Sequence, residues 1–286
     1  MTQPHVILFG SSGMLGQAVI AELVKRDLPL TSYTHQQWDI SDTRTTFFQH
    51  ARWPVGSVVI NCAGVVPETR SHDWELVAAN ALGPHVLAAM CSQRNIRLVH
   101  ISTDCVFSGR KRSGAVHNYY LEGSVTDPVD LYGRSKLAGE VTSEPHLTIR
   151  ASFIGSSPRH GLIHWLTSLP KEEQLDGMWL VKGWTDHFWN GTTAPILARY
   201  ILDHLAFAED VTGILHISGG VILSKCSLVE CIVEKFNLPI FVSPVEIGYC
   251  DRVLANVKVR QSSLPELPSI YGGIEELANA YKTRED

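Results

Sequence analysis

Tyr132 and Lys136 are side chains of types used in proton transfer, and they lie four residues apart. The stretch from Tyr132 to Glu140 follows a turn at Pro128 and predicts the first turns of a helix. Residues four apart share one face of a helix, so the phenol and the ammonium should point the same way. A tyrosine with a pKa of about 10 transfers protons poorly at neutral pH, but a nearby cation lowers that pKa. The spacing therefore predicts general acid–base catalysis, although it also fits an ordinary helix start with a buried tyrosine and a solvated lysine.

A glycine-rich turn connects a predicted strand to a predicted helix near the N-terminus. His5–Phe9 is a short apolar run typical of a buried strand, and Gly10-Ser-Ser-Gly13-Met-Leu-Gly16 follows directly. Apolar residues then recur every four positions through Lys25, as in a helix that packs one face on a sheet. In doubly wound nucleotide-binding folds such glycines let the backbone approach a pyrophosphate at the positive helix N-terminus. We therefore predict dinucleotide binding, although the spacing is G-x-x-G-x-x-G rather than G-x-G-x-x-G.

Strands and helices continue to alternate as far as about residue 150. Further strands are predicted at 30–34, 58–61, 97–101 and 147–150, with a long helix over 73–93. Thr103 follows the strand at 97–101. Because ligands of open α/β sheets bind outside the carboxyl ends of strands, Thr103 is placed to meet a substrate. The pattern predicts an α/β protein in which residues 1–150 form a doubly wound parallel sheet that binds the dinucleotide.

The segments after residue 151 are shorter and richer in Trp, Gly and His. Two helices are predicted there, Ala194–Leu205 and Leu228–Phe236, the second with Ser227 as its N-cap. Ile214–Gly220 has the pattern of one more strand. We expect residues 151–286 to form mainly a smaller C-terminal substrate-binding lobe, with some segments returning to the main sheet.

The end of the second strand should lie beside the adenosine ribose of the dinucleotide. Sites selective for NAD usually place Asp or Glu there, whereas Tyr33–Gln36 contains no acidic residue that would repel a 2′-phosphate. No arginine is present in this stretch to hold that phosphate. The stretch therefore favours NADPH and leaves NADH open, with Asp39 placed near the adenine.

The composition argues against several classes of protein. The net charge is −5, and the longest basic run, Arg110–Arg112, is too short for a surface that binds nucleic acid. No apolar run reaches the roughly 18 residues needed to span a membrane. The six cysteines have no C-x-x-C spacing and the 13 histidines follow no ligand pattern, so we expect no metal site. The cysteines predict reduced thiols and hence a cytoplasmic protein.

Five short motifs of this chain occur in a definite order. They are Gly10-x-x-Gly13-x-x-Gly16, Asn61-Cys-Ala-Gly64, Asn80-x-x-Gly83, Ser102-Thr103-Asp104 and Tyr132-x-x-x-Lys136. In this order they resemble the motifs of extended short-chain dehydrogenase/reductases. Within that family, Ile101–Gly109, Asp130–Glu140 and Gly213–Gly220 are similar to stretches of the dTDP-4-dehydrorhamnose reductase group of nucleotide-sugar reductases. The resemblance implies a Rossmann fold, NADPH or NADH as cofactor, and a homodimer.

The same resemblance implies reduction of the 4-keto group of a nucleotide-linked 6-deoxy-4-keto sugar in deoxysugar biosynthesis. It assigns catalysis to Thr103, Tyr132 and Lys136. The implied substrate-binding residues are Thr103, Asp104, Phe153, Asp186 and Thr192. Together with the glycine turn it gives the cofactor contacts as Gly10, Ser12, Gly13, Met14, Leu15, Gly16, Asp39, Ile40, Ala63, Gly64, Val65, Asn80, Tyr132 and Lys136.

The chain departs from the pattern of that group on the substrate side. Cys105 replaces a tyrosine, Phe153 a tryptophan, Gly191 a proline, and Val253 the proline after an arginine, which leaves the particular nucleotide sugar open. Cys105 also argues against a nucleotide-sugar dehydratase, since it stands where a residue of the acid–base pair of that reaction is expected. An epimerase stays as an alternative. So does a catalytically silent dinucleotide-binding partner, like the regulatory subunit of mammalian methionine adenosyltransferase.

Overall fold

The computed structural model describes residues 4–40, 52–69, 72–111, 114, 116–157, 160–170, 174 and 176–285. In chain order the strands are β1 (Val6–Phe9), β2 (Leu30–Tyr33), β3 (Val58–Asn61), β4 (Arg97–Ser102), β5 (Leu147–Ala151), β6 (Phe153–Ile154), β7 (Trp179–Trp184), β8 (His187–Trp189), β9 (Thr192–Thr193), β10 (Gly213–Ile217), β11 (Leu223–Ser224), β12 (Ile240–Val245) and β13 (Cys250–Asp251). The α-helices are α1 (Met14–Lys25), α2 (Asp73–Leu76), α3 (Gly83–Gln93), α4 (Leu131–Ala138), α5 (Leu162–Thr167), α6 (Ala194–Tyr200), α7 (Lys225–Phe236), α8 (Val257–Gln261) and α9 (Ile270–Glu285).

Six parallel strands form the central sheet, in the order β10-β5-β4-β3-β1-β2. Helices cover both faces of this sheet, and alternate residues of β1 enter different cores. Val6 and Leu8 pack with α1, whereas Ile7 and Phe9 pack with α3. A strand buried on both faces is apolar at every position, which explains the unbroken apolar run in β1. The predicted α/β fold with a doubly wound parallel sheet is confirmed.

The edge strand β10 comes from far along the chain. It pairs in parallel with β5, with Gly213 opposite Leu147 and Ile217 opposite Ala151. The predicted strand at 147–150 therefore has a parallel neighbour from the C-terminal part of the chain.

A second hydrophobic core lies apart from the main sheet, and its buried side chains all follow residue 153. It is built on α7 and α9 with residues of β7, β8, β11 and β12. These strands belong to small sheets of their own, β7 with β12 and β8 between β11 and β13. The division of the chain into two lobes at residue 150 stays a prediction.

The helix predicted over 73–93 contains a wider turn. A π-helical stretch, Val77–Leu82, separates α2 from α3. Pro84 has no N–H and cannot make the α-helical hydrogen bond to the carbonyl of Asn80, so the bonding pattern must change there. Gly139, at the end of α4, packs so closely on this carbonyl that a Cβ on Gly139 would overlap with it. The wider turn therefore lies where α4 approaches most closely.

Helix α7 begins three residues before the predicted start, and Ser224 rather than Ser227 is its N-cap. The Ser224 hydroxyl accepts a hydrogen bond from the Ser227 N–H at 3.0 Å. The prediction of Ser227 as the cap is therefore wrong. Both serines precede the first buried leucine of the helix, Leu228, so local sequence did not distinguish them.

Ser224→Ala is expected to lower the free energy of unfolding by about 1 kcal/mol, because it removes the acceptor for the Ser227 N–H. Ser227→Ala keeps that acceptor and serves as the matched control, with a clearly smaller expected loss. Urea denaturation of the two variants measures the difference. Equal losses would contradict the assignment of Ser224 as the cap.

Candidate active site

Lys136 lies on α4, against the carboxyl end of β4. Asp130 caps this helix by accepting a hydrogen bond from the Gly133 N–H at 2.7 Å. Lys136 is buried, and its Nζ donates to the Ile101 carbonyl at 2.6 Å. Gly133 packs directly on the turn after β4, because a Cβ there would overlap with the carbonyl of Cys105. These contacts fasten α4 against β4 and the turn that follows it.

Two hydroxyl groups meet where β4 ends. The side chain of Thr103 lies beside that of Tyr132, the second residue of α4. Thr103 Oγ1 also donates to a carboxylate oxygen of Asp104 at 3.2 Å and accepts from the Cys105 N–H at 3.2 Å. Thr103 and Asp104 are buried, whereas Tyr132 is half-buried. The structure thus brings three of the predicted site residues together.

The electrostatics of Tyr132 and Lys136 differ from the expectation. Burial lowers the pKa of Lys136 to about 8, an effect that Glu140 and Cys62 oppose. Burial also raises the pKa of Tyr132 above its ordinary value; Cys105 adds to this rise, and the neighbouring Thr103 side chain opposes it. The expected net lowering of the Tyr132 pKa is therefore wrong for this structure, because desolvation favours the neutral phenol. Tyr132 keeps its proton at neutral pH and is available as a proton donor.

The glycine turn has the shape that a dinucleotide requires. Gly10 has a φ of 75°, which favours glycine, and a Cβ there would lie 2.5 Å from the Ala63 nitrogen. A Cβ on Gly16 would overlap with the Gly10 carbonyl oxygen, so α1 lies directly on the turn. Gly13 precedes α1 without a side-chain cap, and the first turn of α1 has no acidic residue. The first N–H groups and the positive end of α1 therefore suit a pyrophosphate.

A cleft of about 340 Å³ lies between the glycine turn and α4. Its size is within the range of small-molecule sites in proteins. The predicted residues that line it are Gly13, Met14, Leu15, Ala63, Gly64, Val65, Thr103, Tyr132, Lys136 and Phe153. Ser152 and His160 also line the cleft, and the sequence did not mark either of them.

Other predicted cofactor residues do not line this cleft. Asn80 is fully buried, and its side chain bonds both the N–H and the carbonyl of Val65 at 2.8 Å. It therefore positions the loop after β3. Ser12 is exposed on the glycine turn. Asp39 is half-buried and Ile40 is buried, and both lie far from Tyr132 in the sequence. Gly10 and Gly16 form the turn itself.

The predicted substrate-binding residues beyond residue 150 are not all at the cleft. Phe153 lines it, and Thr192 pairs with Phe153 across β6 and β9 but is fully buried. Asp186 accepts hydrogen bonds from the N–H groups of Ile247 at 3.1 Å and Gly248 at 2.6 Å. Burial would raise the pKa of Asp186, but these hydrogen bonds hold it below its ordinary value. Asp186 therefore fastens a loop in this structure.

Two basic side chains near Cys105 were not predicted as site residues. Arg252 donates from Nη1 to Cys105 Sγ at 3.3 Å. The Lys225 ammonium lies 4.9 Å from the centre of the Trp189 ring. Burial lowers the pKa of Lys225, while Asp104 and Cys105 raise it. In the described part of the chain neither cation has a carboxylate oxygen within 4.0 Å. Arg252 therefore contacts the residue that follows Asp104, and Lys225 interacts electrostatically with both Asp104 and Cys105.

The described ranges of the chain contain no helix long and apolar enough to cross a lipid bilayer. They also contain no group of three or more His, Cys, Asp or Glu side chains that could hold a metal ion.

Solved structures with the same fold cover nearly the whole chain. A dTDP-4-dehydrorhamnose reductase from Clostridium acetobutylicum superimposes with a TM-score of 0.81 at 21% identity, over 97% of this chain and 99% of that one. The dTDP-4-dehydrorhamnose reductase of Bacillus anthracis, in complex with NADP, also gives a TM-score of 0.81, at 20% identity over 98% and 100% of the two chains. The sheet, glycine turn and cleft are thus those of a Rossmann-type fold.

Sequence relatives identify the family. The RmlD substrate binding domain family matches residues 4–252. A dTDP-4-keto-6-deoxy-D-glucose reductase of Streptomyces niveus is 31% identical over 196 residues, 63% of this chain and 64% of that protein. A dTDP-4-dehydrorhamnose reductase of Mycobacterium tuberculosis is 37% identical over 140 residues, 48% of this chain and 44% of that protein. The chain belongs to the RmlD substrate binding domain family, and these matches span less than two thirds of either relative's length.

Proposed function

We propose that this chain is a reductase of the 4-keto group of a nucleotide-linked 6-deoxy-4-keto sugar, dependent on NADPH or NADH, in deoxysugar biosynthesis. The observation that carries the proposal is the meeting of the Thr103 and Tyr132 hydroxyls at a cleft whose opposite wall is the glycine turn. Both relatives are named as reductases of dTDP-linked sugars, which supports the same substrate class.

In this proposal the bound dinucleotide supplies a hydride to the keto carbon. Thr103 and Tyr132 donate hydrogen bonds to the keto oxygen and so orient the carbonyl. As the oxygen gains negative charge, Tyr132 transfers its phenolic proton to it, and the C=O group becomes a CH–OH group. The ammonium of Lys136 stabilises the phenolate that remains until a proton from water restores the phenol. Cofactor contacts by the glycine turn, Asp39 and Ile40 remain part of the proposal, whereas Asn80 acts through the loop that it positions.

In this proposal Lys225 and Arg252, which have no carboxylate oxygen within 4.0 Å among the described residues, supply an anion site for the substrate. A nucleotide sugar carries a diphosphate, and hydrogen bonds to charged groups contribute about 1.5–3 kcal/mol each. The position of both side chains beside Cys105 and Asp104 supports a diphosphate held next to the reacting sugar.

Lys225→Met is expected to raise KM for the sugar nucleotide at least about tenfold, the equivalent of 1.4 kcal/mol, with kcat little changed. Methionine keeps an apolar chain against Trp189 and removes only the charge. Lys235→Met, on the same helix, is the control and should leave KM unchanged. Steady-state kinetics with varied sugar nucleotide measure both, and an unaltered KM in Lys225→Met would remove Lys225 from the substrate site.

The proposed function is tested by NADPH oxidation with 6-deoxy-4-keto sugars made in situ by a dehydratase. The dTDP-linked substrate is compared with its GDP- and CDP-linked counterparts, and NADPH with NADH. Turnover that depends on one nucleotide would support the reductase and identify the substrate class. NADPH binding without turnover on any keto sugar would contradict it and favour a dinucleotide-binding partner protein.

The chain is further proposed to act in the cytoplasm as a homodimer, with residues 151–286 forming most of the substrate-binding lobe. All six cysteines are free thiols, which supports a reducing compartment. Trp74 on α2 and Val77 just after it are exposed, at 61% and 48%, and give an apolar surface that a second copy could cover. Sedimentation velocity of the purified chain measures the oligomeric state.

A further inference from the structure

A buried ion pair lies behind the cleft, between the end of α4 and β5. Arg150 donates to Glu140 through both Nε and Nη2, each at 2.7 Å. The two side chains are only 5% exposed. Removing one partner of a buried ion pair is costly. Replacing both partners by well-packed apolar residues is often neutral or stabilising, so stability alone does not account for such a pair.

The pair also holds the strand end that carries Thr103. Ser102 Oγ donates to Glu140 Oε1 at 2.8 Å, and Ser102 lines the cleft immediately before Thr103. The Arg150 guanidinium lies 5.3 Å from the centre of the Phe107 ring, which follows the same turn. Glu140 therefore joins the end of α4, the end of β4 and β5 at one point.

Glu140 lies four residues after Lys136, in the turn that ends α4. The titratable groups that face Lys136 come from three elements: Cys62 after β3, His100 on β4, and Tyr132 and Glu140 with α4. Burial raises the pKa of Cys62 to about 12, so this thiol is neutral at pH 7. Burial, with the charge of Lys136, holds the pKa of His100 well below its ordinary value, so this imidazole is neutral as well. Tyr132 is also protonated, which leaves Glu140 as the charged member of the set.

We propose that Glu140 is a positioning residue of the active site. Through its hydrogen bond to Ser102 and its buried pair with Arg150 it orients Ser102 and Thr103 against Tyr132, and it places a fixed negative charge near Lys136. This inference rests on the proposed function in so far as Lys136 acts on a bound dinucleotide. The physical basis is that a fixed negative charge near the desolvated Lys136 ammonium favours its protonated state.

The test compares Glu140→Gln with Glu276→Gln in the full chain. Glu276 forms the same kind of two-bond pair with Arg199, at 2.8 and 2.7 Å, between α9 and α6 and outside the cleft lining. NADPH affinity is measured by fluorescence titration from pH 6 to pH 10, and kcat/KM for the keto sugar is measured over the same range. Loss of the Glu140 charge is expected to move the alkaline midpoint of both profiles to lower pH by about one pH unit. Glu276→Gln should leave both midpoints in place.

Glu140→Gln leaves Arg150 buried without its carboxylate and can fail to fold, so the double variant Glu140→Gln with Arg150→Met is measured beside it. This variant removes both charges, and it is expected to show the same downward move of the alkaline midpoint. A lower melting temperature with the wild-type midpoint in the folded variants would overturn the proposal and leave Glu140 a purely structural residue. If the wild type turns over no keto sugar, the proposed function fails, but the pH dependence of NADPH binding still decides the role of Glu140.

Discussion

Tyr132→Phe is expected to lower kcat for the keto sugar by about 10²–10⁴-fold, the typical contribution of a positioned general acid. Burial keeps the proton on the phenol at neutral pH, and phenylalanine fills the same space without that proton. The shape of the cleft stays the same, so the Kd for NADPH should remain within about twofold of the wild-type value. Stopped-flow NADPH oxidation and fluorescence titration measure the two quantities.

Tyr271→Phe is the control for this variant, because Tyr271 lies exposed on α9 and loses the same hydroxyl outside the cleft. Its kcat should equal that of the wild type. If Tyr132→Phe retained full kcat, another group would have to donate the proton, and the catalytic assignment of Tyr132 would be withdrawn.

The local part of this site follows from sequence spacing alone. The four-residue separation of Tyr132 and Lys136 fixes a common helix face, and the glycine turn between β1 and α1 fixes a place for a pyrophosphate. Both predictions depend on residues within one or two turns of each other. The alternation of apolar strands and helices likewise gave the parallel sheet, since a strand covered on both faces is apolar throughout.

Properties set by distant packing were not predictable in the same way. The pKa of Tyr132 depends on how much water the folded chain removes from it, and burial reversed the expected direction. Arg252 and Cys105 lie 147 positions apart in the sequence, so no local pattern predicts their contact. Asp186 was predicted from a motif to bind the substrate. In the structure it accepts hydrogen bonds from the backbone of a loop 61 and 62 positions away.

Gly16→Ala is expected to weaken NADPH binding by about 10²-fold, the scale of a displacement of about 1 Å at a binding site. The added methyl group would overlap with backbone atoms, the carbonyl of Gly10 first, which cannot rotate away as a side chain could. Either the turn or the start of α1 must therefore shift, and the N–H groups that face a pyrophosphate shift with it. The same overlap should lower the free energy of unfolding by about 1–3 kcal/mol.

Gly272→Ala is the matched control, because Gly272 also lies within a helix and a Cβ there meets open space. It should leave the Kd for NADPH unchanged and raise the free energy of unfolding by up to about 1 kcal/mol, since alanine favours helix over glycine. Fluorescence titration with NADPH and urea denaturation of both variants separate the two effects. A Gly16→Ala protein that binds NADPH as tightly as the wild type would show that the dinucleotide does not lie on the glycine turn. The proposal that hydride is delivered from the glycine turn towards Thr103 and Tyr132 would then have to be withdrawn.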